Sequence, residues 1–83
     1  MPFVAYILKS EKSGRYYIGH SSDLKERLKT HNAGKVKATR NKGPWRCVYF
    51  EEYETKIEAN QREFEIKKKK SRKYIDYLIK MRE

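Results

Sequence analysis

The apolar positions of this 83-residue chain follow two periods, and each period marks three segments. Three segments, at 3–8, 15–19 and 45–53, are short and rich in β-branched and aromatic residues, as strands are. Three others, which begin near residues 23, 56 and 72, repeat an apolar residue every three or four positions, as amphipathic helices do. The pattern therefore predicts the order β-β-α-β-α-α.

The first predicted strand belongs at the centre of a sheet, because both of its faces are apolar. One face carries Phe3, Ala5 and Ile7, and the other carries Val4, Tyr6 and Leu8. A strand covered on both sides shows this composition. The polar segment 10–14, in which Gly14 can adopt a positive φ, is short enough to join the first two strands as a hairpin.

Capping residues mark the ends of the predicted helices. Asp23 is placed to cap the first helix, and Gly34 suits the position just after its last turn. Thr55 and Glu58 have the spacing of a capping box at the start of the second helix, which should run from about 56 to 70. Ser71 interrupts or re-caps the chain before the third helix, which continues to the end.

These elements predict an α/β fold with a small antiparallel three-stranded sheet flanked by helices. The sequence contains no internal repeat and no linker-like segment. A chain of 83 residues is also too short for two cores. We therefore expect one domain over residues 1–83.

The charge balance favours an acidic partner. Twenty-one basic residues stand against 11 acidic ones, which gives a net charge of +10 in a protein of 10.1 kDa. A positive field of this density attracts polyanions, and nucleic acid is the commonest of them. An anionic membrane surface, or charge that only keeps the protein in solution, is the alternative.

Several classes of site are excluded by composition. Cys47 is the only cysteine, so neither an internal disulfide nor a cysteine-based metal site is expected. No His/Cys cluster, Gly-rich phosphate loop or paired-carboxylate motif is present. The first residues lack the basic segment of a signal peptide and the length of a membrane span, which predicts a cytoplasmic protein.

Glu63 is an unusually placed carboxylate on the second predicted helix. In helical projection, at about 100° per residue, it borders the arc of Ala59 and Ile66 that should face inward. A carboxylate there could bind a divalent cation, which prefers oxygen ligands. The simpler interpretation is an i,i+4 ion pair with Lys67, and spacing alone favours it.

Arg27 allows two interpretations of similar weight. On a rigid helix its guanidinium could clamp a phosphate through two nitrogens. It could instead pair with Asp23, four residues earlier on the same helix.

Tyr6 and Tyr17 lie on the two strands of the hairpin and should be near neighbours. Packing is the ordinary role of strand tyrosines. A role as a base would need a neighbour that lowers the phenol pKa, because only about one phenol in a thousand is ionised at pH 7. His20 and His31 singly look like surface or helix-end histidines, but with Tyr17 and Arg27 they form a candidate site.

Together these residues resemble the GIY-YIG nuclease family. Val4-Ala5-Tyr6 occupies the place of the first signature tripeptide and keeps its tyrosine, and Tyr17-Ile18-Gly19 matches the second letter for letter. Arg27, ten residues after Tyr17, matches the active-site arginine of the family. Glu63 matches the metal-binding glutamate. The resemblance covers nearly the whole chain.

Other positions refine the resemblance. The segment His31-Asn32-x-Gly34 before a basic loop is similar to the small single-domain branch of the family. His20 stands where several members carry a lysine. The asparagine that some members carry after the metal glutamate has no counterpart within residues 72–80.

The resemblance implies hydrolysis of phosphodiester bonds in DNA, or in RNA, with a single Mg²⁺ (or Mn²⁺) ion. Glu63 would hold the ion beside the scissile phosphate and the leaving oxygen. Arg27 would stabilise the additional negative charge of the transition state. Activity is expected to be structure-selective or weakly sequence-specific.

The same resemblance implies roles for the tyrosines and histidines as catalytic residues. Tyr6, rather than Tyr17, would take a proton from the attacking water. Tyr17 would then orient the water or the phosphate. His20 or His31 would lower the pKa of the phenol or position it.

The basic residues outside this centre are expected to follow the nucleic-acid backbone with little reading of sequence. They comprise Lys35, Lys37, Arg40 and Lys42 in the loop and the run from Lys67 to Lys70. Since 83 residues leave little surface for reading bases, we expect selectivity for shape or help from a targeting protein. The protein is expected to be a monomer or a weak dimer with no membrane partner.

Two other functional classes remain open from the sequence. A non-catalytic nucleic-acid-binding module would need only the basic surface and the aromatic residues. A structural or interaction protein would use its charge only for solubility.

Overall fold

The computed structural model describes residues 2–69 and 71–82. The strands in this part of the chain are β1 (Phe3–Ser10), β2 (Tyr16–Ser21) and β3 (Trp45–Tyr53), and the helices are α1 (Leu24–Asn32), α2 (Lys56–Lys69) and α3 (Arg72–Arg82). The strands form one antiparallel sheet in the order β2-β1-β3. The predicted α/β fold, the order β-β-α-β-α-α and the central place of β1 are confirmed.

The hairpin between β1 and β2 is tighter than predicted. β1 continues through Ser10, and β2 begins at Tyr16 and extends to Ser21. The Ser10 hydroxyl accepts hydrogen bonds from the backbone N–H groups of Lys12 and Ser13 at 3.2 and 3.0 Å. A polar residue can therefore end the strand, because its side chain satisfies the turn that follows.

The sheet separates two apolar layers, because alternate residues of β1 point to opposite sides. On the α1 side the buried residues are Val4, Tyr6, Leu8 and Trp45. On the other side, beneath α2 and α3, they are Ile7, Ile66, Ile75 and Leu78. The first layer combines residues of β1 with the start of β3, and the second combines one residue of β1 with residues of α2 and α3.

The predicted caps form at the ends of the helices. Asp23 accepts a hydrogen bond from the Glu26 N–H at 3.1 Å. Gly34 follows α1 with a φ of 76°, in the left-handed region that favours glycine. Thr55 accepts from the Glu58 N–H at 3.2 Å, and Ser71 accepts from the Tyr74 N–H at 3.2 Å.

The loop between α1 and β3 is fixed at both ends. The Asn32 amide donates to the Trp45 carbonyl at 3.0 Å, and its oxygen accepts from the Trp45 N–H at 2.7 Å. The Ser10 hydroxyl donates to the Lys42 carbonyl at 2.6 Å. The basic loop is therefore held against the end of the sheet.

No helix in the described ranges 2–69 and 71–82 has the length and apolar content to cross a bilayer.

Candidate active site

Tyr6 owes its position to a glycine on the neighbouring strand. Tyr6 pairs with Gly19 of β2, and its ring extends over that residue on the α1 side of the sheet. A Cβ atom at Gly19 would lie 2.6 Å from Tyr6 Oη and 2.8 Å from Tyr6 Cζ. Only glycine therefore allows the phenol to lie against the backbone of the edge strand.

His31 brings the two tyrosines of the hairpin together. It lies near the end of α1 and is 1 % exposed. Its Nε2 is 3.0 Å from Tyr6 Oη, and the ring of Tyr17 meets the imidazole edge-on at a centroid distance of 4.9 Å. The expectation that Tyr6 and Tyr17 lie close together holds because one buried imidazole contacts both.

Burial and Arg27 set the protonation of this group. Burial raises the pKa of Tyr6, and the nearby Arg27 guanidinium only partly opposes that change. Burial, with a smaller contribution from Arg27, lowers the pKa of His31 from its ordinary 6.5 to about 4. At neutral pH the phenol is therefore protonated and the imidazole is uncharged.

Glu63 approaches the same edge of the sheet from α2. One carboxylate oxygen is 2.5 Å from His20 Nδ1, and the other accepts from Lys67 Nζ. Burial opposes ionisation of Glu63, but the bonds from Lys67 and His20 outweigh burial and hold its pKa below the usual value. Glu63 is therefore a carboxylate at neutral pH.

A cleft of about 270 Å³ is lined by one residue from each of the two groups. His20 and Arg27 both line it, together with Lys56 from the start of α2. The Glu63 carboxylate is close enough to Tyr6 to contribute to the raised pKa of the phenol. Residues from β1, β2, α1 and α2 thus meet at one edge of the sheet.

A model of the GIY-YIG catalytic domain matches residues 2–75 of the chain. The chain belongs to the GIY-YIG family. This is a family of nucleases, and the match covers Tyr6, Tyr17, His20, Arg27, His31 and Glu63.

Two curated relatives of this GIY-YIG chain are UPF0213 proteins. The one from Clostridium perfringens is 48% identical over 64 residues, which is 76% of this chain and 68% of the relative. The one from Bacillus pumilus is 41% identical over 78 residues, which is 93% of this chain and 79% of the relative. The chain is also similar to the UPF0213 protein of Bacillus halodurans, whose structure was solved by solution NMR, with a TM-score of 0.60 and 35% identity. That similarity covers 98% of this chain and 85% of the solved one.

A divalent cation fits the donor set of this GIY-YIG site through Glu63. Within the described ranges, no three His, Cys, Asp or Glu side chains cluster as metal ligands. A hard cation such as Mg²⁺ needs no such cluster, since it keeps several waters and binds one or two carboxylates together with phosphate oxygens. Glu63 would hold the ion, and the Lys67 ammonium that it now contacts would have to yield or share one oxygen.

The structure bears on the alternatives that spacing left open. Glu63 does pair with Lys67, but it also contacts His20, which the helix pattern did not reveal. In residues 2–69 and 71–82, Arg27 forms no ion pair with Asp23 or another carboxylate. Its guanidinium lies instead beside Tyr6 and His31.

The predicted nucleic-acid-binding residues lie apart from this centre or at its border. The exposed side chains of the loop are Lys35, Lys37, Arg40 and Lys42. Lys67 contacts Glu63, and Lys68 and Lys69 are exposed at the end of α2. Lys70, the last residue of the predicted basic run and of the predicted second helix, lies outside the described residues.

Sequence reasoning missed two residues near the site. Lys56 lines the cleft because it is the first residue of α2. The capping box at Thr55 marks the start of that helix in the sequence, so it was the signal that could have identified Lys56. Thr39 contacts His31 from the basic loop, and its Oγ1 is 2.8 Å from His31 Nδ1. No spacing or pattern singles out Thr39 in the sequence.

Proposed function

We propose that this protein is a divalent-metal-dependent endonuclease that hydrolyses phosphodiester bonds in DNA, with structure-selective or weakly sequence-specific action. The observation that carries the proposal is that two groups of residues each contribute one side chain to the same cleft, Arg27 from the first group and His20 from the second. Tyr6, His31 and Arg27 form one group, and Glu63 with His20 forms the other. Family membership supports the same activity.

Arg27 is the group suited to bind the scissile phosphate. It lines the cleft and pairs with no carboxylate in the described ranges, so its donors are available to phosphate oxygens. A guanidinium held on a helix binds two such oxygens at once. As negative charge develops on the phosphate, this contact strengthens and lowers the barrier.

Tyr6 is the proposed general base, with His31 as its partner. Burial raises the pKa of Tyr6, so a free phenolate is rare at neutral pH. The uncharged His31 imidazole lies at hydrogen-bond distance and can accept the phenol proton while the phenol takes one from water. Such a relay needs no standing phenolate, and Tyr17 packs beside it to orient the water or the phosphate.

The cation, when bound at Glu63, would neutralise charge on the phosphate and stabilise the leaving oxygen. His20, which lines the cleft, donates to Glu63 and so holds the carboxylate in place beside it. We assign one ion, Mg²⁺ or Mn²⁺, to Glu63, because the described residues contain no cluster of three His, Cys, Asp or Glu side chains and such an ion takes its other ligands from water and phosphate.

The exposed lysines and arginine of the loop, together with those at the end of α2, are proposed to bind the nucleic-acid backbone. Contacts of this kind give affinity without sequence reading and weaken as salt rises. A net charge of +10 supports such binding.

Glu63→Gln tests the function directly. Wild type and variant are incubated with branched, flapped and plain duplex DNA in the presence of Mg²⁺ or Mn²⁺, and the products are resolved on denaturing gels. We expect wild type to cut at least one substrate and Glu63→Gln to lose on the order of 100-fold or more in rate, since the amide is a poor cation ligand. Glu65→Gln is the matched control, because Glu65 is on the same helix and exposed, and it should cut like wild type.

Two outcomes would contradict the proposal: no cleavage by wild type under any condition, or equal cleavage by Glu63→Gln. A non-catalytic nucleic-acid-binding module is the second candidate. It is favoured by one observation, that both Glu63 oxygens already have protein partners. It predicts salt-dependent binding that Glu63→Gln leaves unchanged, and no cleavage.

A further inference from the structure

Thr39 is a buried side chain in a loop whose other polar side chains are exposed. It is 0 % exposed, whereas its neighbours Ala38 and Arg40 are exposed. A buried hydroxyl costs free energy unless it forms hydrogen bonds. Thr39 Oγ1 has two partners, His31 Nδ1 at 2.8 Å and the Val36 carbonyl at 3.4 Å.

Tyr6, His31, Thr39 and the Val36 carbonyl form a series of hydrogen bonds. The direction of each bond follows from Tyr6, at one end of the series. Tyr6 is 1 % exposed, so its hydroxyl proton needs an acceptor within the protein. The Arg27 guanidinium beside it contains only donors. His31 Nε2, at 3.0 Å, is the acceptor at hydrogen-bond distance in the described part of the chain.

The imidazole must then carry its proton on the other nitrogen. His31 is uncharged at neutral pH, because its pKa is about 4. If Nε2 accepts from Tyr6, Nδ1 carries the proton and donates to Thr39 Oγ1. The Thr39 hydroxyl proton then points to the Val36 carbonyl, and every donor in the series has an acceptor.

We propose that Thr39 is a positioning residue that holds His31 in the tautomer protonated on Nδ1, and thereby keeps Nε2 free to accept the proton of Tyr6. The tautomer itself depends only on the fold. Its consequence for cleavage rests on the proposed nuclease function.

In that reaction the proton transfers balance around Tyr6. The water oxygen forms a bond to phosphorus as one water proton moves to Tyr6 Oη, and the Tyr6 proton moves to His31 Nε2. The bond from phosphorus to the leaving oxygen breaks, and that oxygen keeps the electron pair and takes a proton from solvent. His31 is then an imidazolium, and Thr39 Oγ1 still accepts from Nδ1 and stabilises it.

The backbone of Thr39 is fixed independently of its hydroxyl. The Thr39 carbonyl accepts from Trp45 Nε1 at 3.1 Å, and the Thr39 N–H donates to the Val36 carbonyl at 3.1 Å. Trp45 is 5 % exposed and belongs to the core on the α1 side. A variant that changes only the hydroxyl should therefore keep the loop in place.

The tautomer is measured by long-range ¹H–¹⁵N NMR of the His31 ring at pH 7, in wild type, Thr39→Ser and Thr39→Val. We expect the Nδ1–H tautomer in wild type and in Thr39→Ser, which keeps the hydroxyl. Thr39→Val, which has the same shape without an acceptor, should shift the ring towards the Nε2–H tautomer. An Nε2–H tautomer in wild type overturns the proposal whether or not any variant folds, and so does a Thr39→Val spectrum identical to wild type.

Kinetics tests the consequence for cleavage. We expect Thr39→Val to lower kcat on the order of 10- to 100-fold with KM little changed, and Thr39→Ser to restore most of it. Equal kcat in Thr39→Val and wild type, together with a shifted tautomer, would overturn the role in catalysis. If wild type cuts no DNA, the nuclease function fails while the NMR result still decides the tautomer.

Discussion

At the residue scale, the site depends on what is absent from Gly19. Tyr6 could not reach His31 if β2 carried a side chain at that point, because the ring lies where a Cβ atom would be. In the second signature tripeptide, Gly19 is thus explained by packing against Tyr6, and Tyr17 by its contact with His31. Both of these tripeptide residues therefore help to position side chains of the candidate site.

Gly19→Ala tests this close contact. The new methyl carbon would lie within 3 Å of two Tyr6 atoms, so the ring must move away from His31. We expect unfolding free energy to fall by about 1–3 kcal/mol, as for other overpacked cores. Cleavage should fall about 100-fold, the typical effect of a displacement near 1 Å. Urea titration and cleavage rates measure the two effects, and wild-type values for both would contradict the model of the site.

At the element scale, the side chain of Asn32 links the end of α1 to the start of β3. Asn32 ends α1 and pairs through its amide with both backbone groups of Trp45, much as a neighbouring strand would. This link closes the basic loop and keeps Thr39 over His31. The loop that is proposed to bind nucleic acid is therefore attached to α1, the helix that carries Arg27 and His31.

Asn32→Ala should loosen that link. Both Trp45 backbone groups would lose their partner, at a cost of about 1–3 kcal/mol in unfolding free energy. Asn60→Ala is the matched control, since Asn60 is exposed on α2, and it should leave stability unchanged or slightly higher. Chemical denaturation of both variants measures the difference. Equal stability of Asn32→Ala and Asn60→Ala would show that the contact does not hold the loop.

At the scale of the whole molecule, a strongly positive protein encloses two uncharged side chains, Tyr6 and His31. The net charge of +10 surrounds a buried phenol and an uncharged imidazole. The positive charge of Arg27 adds to burial in disfavouring protonation of His31. Between about pH 4 and 6.5, therefore, His31 binds a proton in the unfolded chain but not in the folded protein.

Stability should consequently depend on pH through His31. Its folded-state pKa of about 4 is below the ordinary 6.5, so the unfolded state binds more protons between these values. The contribution is complete above pH 6.5 and is lost as pH falls towards 4, by on the order of 3 kcal/mol. Urea titrations at several pH values should show a smaller decrease for His31→Gln than for wild type. Equal decreases would mean that His31 is protonated freely in the folded state.

Much of the fold could be predicted because its signals are local. β3 was predicted with the bounds Trp45–Tyr53 that it has in the structure, since its aromatic and β-branched run follows the Gly43-Pro44 stop. The hairpin ends were less accurate, because Ser10 reads as a turn residue and yet remains in β1. The Ser10 hydroxyl accepts hydrogen bonds from the turn that follows it, and hydropathy does not reveal such a contact.

The sequence by itself determined the elements, their order and the residue types for the chemistry, because periodicity, capping and motif spacing are properties of neighbouring residues. The resemblance to the family motifs marked Tyr6, Tyr17, Arg27 and Glu63 as candidate site residues. Only the tertiary structure decided which groups meet. It placed His31 with Tyr6, His20 with Glu63 and Thr39 behind His31. Those contacts join residues 8 to 43 positions apart, and such pairings depend on how the sheet and helices pack.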